Sequence, residues 1–78
     1  MTSLDRLPVG ARGRVRTVRG EPALVQRLGE LGIFDGEVVE LLGVAPLGDP
    51  IEIRVGDSRL SLRREEAAGI ELDLLIQC

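Results

Sequence analysis

Polar and apolar residues alternate strictly through Ile51-Glu52-Ile53-Arg54-Val55. Successive side chains of a strand point to opposite faces, so this pattern predicts a strand buried on one side. Gly56-Asp57 follows as a two-residue hairpin signal with glycine first, and Ser58 to Arg63 alternates again with Leu60 and Leu62 facing inward. Glu37 to Ala45 is apolar on both faces, with Val38, Leu42, Val44 and Glu40 on one and Val39 and Leu41 on the other. Such a strand is central in its sheet or curls across a barrel. Ile70, Leu72 and Leu74, set against Glu71 and Asp73, predict a last strand. Arg14 to Arg19 predicts the first. There Val15 and Val18 break strict alternation, which calls for a bulge or for a strand end near Val18.

Between the first and second strands the period changes. From Pro22 to Leu31, apolar Leu24, Leu28 and Leu31 recur at helical spacing, with Arg27 and Glu30 among the polar positions between them. Pro22 suits the first helical position, where a missing N–H costs nothing, and Gly32 suits the position just past the end. Gly29 inside the helix costs about 1 kcal/mol relative to alanine, and its presence predicts close approach by another backbone. A helix this short is unstable alone and must dock. Leu4 and Leu7, within Ser3 to Pro8, predict a turn that plugs one end of the fold. Arg64 to Ala68 predicts a single helical or 3-10 turn stopped by Gly69.

Ala45 to Arg54 is the least generic stretch. Pro46 and Pro50 bracket Leu47-Gly48-Asp49, and each proline fixes its own φ and keeps the preceding residue out of the helical region. The connection is therefore stiff, with glycine where the chain must bend. Leu47 stands at its middle, where an ordinary solvent turn would carry a polar residue.

Five short strands, one inserted helix and a helical turn before the last strand predict a mainly β fold. Strands this short bury themselves best in a strongly bent small barrel, here a five-stranded SH3-like one. One domain over 1–75 and a tail over 76–78 account for the chain. A parallel α/β sheet would need more crossover helices than the one found.

Composition narrows the chemistry. Phe34 is the only aromatic residue, and histidine is absent, as are tryptophan and tyrosine. The base-stacking platforms of single-strand nucleic-acid modules are therefore missing. Cys78 is the single cysteine, so no internal disulfide forms, and with no histidine either, a zinc or iron–sulfur site built on protein ligands alone is not expected. Glu65, Glu66, Glu71 and Asp73 match no cation-binding loop and read as a solvated face. No phosphate-cradling loop, dinucleotide fingerprint or nucleophile elbow occurs, so neither a cofactor nor an enzymatic activity is expected. All ten positive charges are arginine, and the net charge is −3. Residues 1–20 hold five of those arginines against one acid. A basic first strand can meet phosphate or an acidic partner, or pair with the acidic remainder of the chain. No apolar run approaches the ~20 residues of a membrane span. The opening Met1 to Gly10 also lacks the order of a signal peptide, so a cytoplasmic protein without membrane insertion is expected.

Five pieces in order resemble the FeoA family, small cytoplasmic accessory proteins of bacterial ferrous-iron uptake. They are Leu4-x-x-Leu7-x-x-Gly10, Arg27-Leu28-x-x-Leu31-Gly32-Ile33, Gly36-x-x-Val39, Ala45-Pro46-Leu47-Gly48-Asp49-Pro50-Ile51 and Leu62-Arg63-x-x-Glu66-Ala67-x-x-Ile70. The resemblance spans Leu4 to Leu74. Asp35 departs from it, since the family often has proline before Gly36. The resemblance implies an SH3-like barrel and a role as a binding module on the cytoplasmic region of FeoB, a membrane transporter with a G-domain. A related barrel closes iron-dependent repressors of the DtxR type, whose preceding domains this chain lacks.

The residues expected to touch that partner are Pro46, Leu47 and Asp49 on the corner, with Leu28 and Leu31 on the helix, the whole forming one exposed apolar patch. Core packing is the competing reading for the leucines, and turn formation alone for Asp49. Two other classes compete. Gly10-x-x-Gly13-x-Val15-x-x-Val18-x-Gly20, accompanied by Arg12, Arg14, Arg16 and Arg19, is similar to the KOW pattern of nucleic-acid-binding barrels. The acidic net charge and the missing aromatics weigh against nucleic acid as a partner. The other class is a weakly self-associating adaptor that pairs through a sheet edge or a leucine patch.

Overall fold

The hairpin read from alternation forms as expected. In the structure, a computed structural model that describes residues 1–75, β4 (Ile51–Val55) buries Ile51, Ile53 and Val55 and turns Glu52 and Arg54 outward. It pairs antiparallel with β5 (Ser58–Leu62), Val55 opposite Ser58 across the Gly56-Asp57 turn. On its other side β4 pairs with β3 (Val38–Val44), where Val39 and Leu41 are the buried positions. That ladder is interrupted by a bulge between Leu41 and Gly43, which adds the bend a small barrel needs. β3 in turn pairs with β2 (Arg12–Val18), and β2 with β6 (Ile70–Leu75). The anticipated irregularity in the first strand is a bulge between Val15 and Thr17 in the β2–β6 ladder.

Sequence alternation did not reveal β1 (Thr2–Ser3), which pairs with β6 through Thr2–Leu72 and Ser3–Glu71. Two residues are too few to carry a period. The sheet therefore has six strands in the order β1-β6-β2-β3-β4-β5, all antiparallel. Its curled inner face is filled by aliphatic side chains from every layer, among them Leu4, Val15, Leu28, Ile33, Val39, Ile53, Ile70 and Leu72. No buried side-chain N or O among the described residues lacks a partner. The 3-10 turn Leu4–Arg6 sends Leu4 and, just after it, Leu7 into this core, so it plugs the barrel as anticipated.

Helix α1 (Pro22–Glu30) begins at Pro22 and ends ahead of Gly32, whose φ of +101° suits glycine. Gly29 corrects an expectation. No atom beyond its own neighbourhood lies within 4 Å of where its Cβ would stand, so close backbone approach does not explain it. Leu74 shares the face of buried Ile70 and Leu72 but is 54% exposed near the end of β6. It pairs with Gly13, which offers no side chain to cover it. Helix α2 (Arg64–Ala67) is the single turn expected before the last strand. The proposed tail over 76–78 lies outside the described residues.

Candidate partner-binding surface

The corner between β3 and β4 is built almost wholly from polar bonds. Ala45 N–H donates to Pro50 O at 3.0 Å, and Gly48 N–H donates to Ala45 O at 2.7 Å, closing the turn from inside. Gly48 takes φ +90°, a conformation that disfavours any residue with a side chain. The Asp49–Pro50 peptide is cis. From outside, Arg64 Nε donates to Gly48 O, while Arg64 Nη1 reaches Asp5 O at 2.8 Å. One guanidinium thus ties the corner to the turn after β1.

Asp49 faces the same way. Its Oδ1 accepts the backbone N–H of Arg64 at 3.1 Å, satisfying a donor at the start of α2 that the helix cannot satisfy itself. Glu66 Oε1 accepts the Arg63 N–H at 3.0 Å, the reach-back half of a capping box. The side chain of Asp49 therefore has a structural task in the turn and in α2. With the polar groups turned inward to the scaffold, Leu47 is left 96% exposed and Pro46 is exposed beside it.

The helix behaves otherwise. Leu28 is fully buried, which removes it from any exposed patch and makes it a core residue. Its position on the inner face of α1 accounts for this, because a helix too short to stand alone must bury its apolar stripe. Leu31, one turn on, is 41% exposed, and Phe34 beyond it is 49% exposed. The outer side of α1 is held by an ion pair from Arg27 to Glu66. Beside that pair is a shallow open groove of about 540 Å³, lined by Glu21, Ala23, Leu24, Arg27, Glu65 and Glu66. Corner and helix are thus both fastened to α2, through Arg64 and Glu66 respectively. Neither role was derived from the sequence. Arg63-x-x-Glu66 stood out as a motif, but its partners lie far along the chain.

The arginines of the first strand are largely engaged within the molecule. Arg14 donates to Gly36 O at 3.0 Å, Arg16 meets Asp73 at 3.4 Å and Arg19 meets Glu71 at 3.4 Å. Glu66, Glu71 and Asp73 are accordingly charge partners of arginines. Among the described residues, no three or more His, Cys, Asp or Glu gather where they could hold a metal ion. None of the described helices is long and apolar enough to cross a membrane.

A six-stranded SH3-like barrel carries one docked helix and a hydrogen-bonded corner whose leucine points outward. The FeoA domain model matches residues 2–74, and the chain belongs to the FeoA domain family, a family of transport accessory domains associated with ferrous iron transport. The solution structure of FeoA from Chlorobium tepidum is similar at 41% identity, with a TM-score of 0.92 over 96% of this chain and 71% of that one. FeoA from Stenotrophomonas maltophilia, crystallised with zinc and described as an SH3 domain protein, is 32% identical, with a TM-score of 0.81 over 94% of this chain and 91% of its own. A fusion of Fe(2+) transport protein A with the Fe(2+) transporter FeoB, from Porphyromonas gingivalis, is 36% identical over 72 residues. That match spans 92% of this chain but 8% of the fusion protein.

Proposed function

We propose that this chain is a non-enzymatic accessory module of ferrous-iron uptake that acts by binding the cytoplasmic region of a FeoB-type transporter. The observation that carries the reading is the Porphyromonas gingivalis protein, in which a homologous domain and FeoB share one polypeptide. Physical linkage places two domains at high effective concentration, an arrangement that suits partners that also meet when separate. The contact surface is the corner, with Leu47 as anchor and Pro46 beside it, and Leu31 as a second apolar point. Asp49 contributes by holding the loop. A preorganised loop loses little conformational freedom on binding, which favours a small anchor over a floppy one.

Co-purification tests this directly. The chain and the cytoplasmic region of the transporter from the same organism are expected to co-elute in size exclusion, and Leu47→Asp is expected to abolish the complex while the chain stays folded. Separate elution of two folded partners would sink the proposal. Co-elution unaffected by Leu47→Asp would keep the partner and discard the surface.

A further inference from the structure

The basic first strand gives way, in the folded molecule, to a basic row that runs perpendicular to it. The ladders place Arg12 of β2 opposite Glu40 of β3, Glu40 opposite Arg54 of β4, and Arg54 opposite Arg59 of β5. These residues share one register line across four strands on the outward side of the sheet. With adjacent strands about 4.8 Å apart, the line is about 14 Å long. Its arginines are exposed, and Glu40 is half-buried.

The row is not balanced. Glu40 reaches Arg54 at 3.7 Å, whereas the side chains of Arg12 and Arg59 have neither a hydrogen bond nor an ion pair among the described residues. Arg54 and Arg59 stand directly opposite each other, an arrangement of like charges that disfavours the sheet it sits in. Arg12, Glu40 and Arg54 also line a shallow depression of about 220 Å³ with Val38 and Gly56. Along the line itself three arginines thus stand against one carboxylate, although the chain as a whole is acidic.

We infer that the row Arg12, Arg54 and Arg59 is a docking surface for a short acidic segment of a partner protein, with Glu40 setting its register. Guanidinium groups pair bidentately with carboxylates, and a carboxylate between Arg54 and Arg59 relieves their opposition. A nucleic-acid backbone fits less well. Glu40 interrupts the row, the net charge of the chain is −3, and Phe34 is the only aromatic side chain for stacking. The inference does not rest on which protein carries the segment, so it stands or falls apart from the transporter reading.

A fluorescein-labelled hexaglutamate peptide, titrated into the full chain at low salt and followed by anisotropy, is the probe. Saturable binding that weakens with added salt is expected. Arg54→Gln and Arg59→Gln are each expected to raise Kd about three- to tenfold. Glu40→Gln is expected to lower Kd about twofold, a gain that a folding defect cannot produce. Arg16→Gln removes the same charge from the Asp73 pair and is expected to leave Kd nearly unchanged. No binding, or a loss for Arg16→Gln equal to that for Arg59→Gln, overturns the inference. So does tighter binding of a DNA duplex or of phosphatidylserine vesicles than of the peptide at equal salt.

Discussion

The corner Ala45–Pro50 and helix α1 are held to the same barrel by opposite means. The corner is pinned by hydrogen bonds from Arg64 and to Asp49, and its one large apolar side chain, Leu47, points away from the molecule. The helix is pinned by burial, and its central leucine, Leu28, points in. Both regions were expected to present leucine to a partner. The difference lies in what each segment needs in order to exist. A short helix has no stability without its apolar stripe, so its central leucine, Leu28, is taken by the core while Leu31 stays at the rim. A loop closed by its own backbone bonds has no such need, and its leucine is free for other use.

The largest effect that bears on this contrast is expected at Leu28. Leu28→Ala should cost about 3 kcal/mol, as truncation of a fully buried leucine does, measured by urea denaturation. A loss below about 1 kcal/mol would mean that α1 is held mainly by its Arg27–Glu66 pair. At the corner, Asp49→Ala should cost about 1 kcal/mol, because the first N–H of α2 loses its acceptor. Asp49→Asn, which keeps an acceptor oxygen, should recover much of that in thermal melts. Gly29→Ala should stabilise by about 0.5–1 kcal/mol, since the space is open and the position is helical. A fall in Tm instead would show that a glycine is required there after all. The smallest effect belongs to Leu47→Asp, expected within about 0.5 kcal/mol of the parent. A marked destabilisation would mean that Leu47 is part of the fold, and the two regions would no longer differ.

β4 and β5 were legible because a period of two repeats within a handful of residues, β3 because it is apolar on both faces, and the helix because its period and its end signals agree. Leu28 and Leu31 were harder to separate. Both fit the helical stripe, and only the angle at which the helix docks decides that Leu28 is enclosed and Leu31 lies at the rim. Gly29 looked like a contact point because glycine has a cost there, yet a cost does not reveal its compensation. The arginine row was invisible for a different reason. Arg12, Arg54 and Arg59 come into line only through cross-strand register, which a bulge in the β3–β4 ladder shifts and which no local pattern encodes. Arg64 was missed likewise, since it joins Asp5 and Gly48 from the far end of the chain.

The strand order has a consequence for how the molecule comes into being. β2 lies between β6 and β3, so an early strand shares one of its ladders with the last strand of the described chain. During synthesis the β3–β4–β5 meander can pair as soon as it emerges, but the β6-facing edge of β2 waits for β6. Folds dominated by such distant pairings form slowly, on the millisecond-to-second scale, because loop closure comes before any contact that repays it. A chain halted before Ile70 is therefore expected to lack the cooperative unfolding transition of the whole in circular dichroism. Until β6 arrives, the nascent protein carries an open apolar edge, and that interval is when it is most exposed to aggregation.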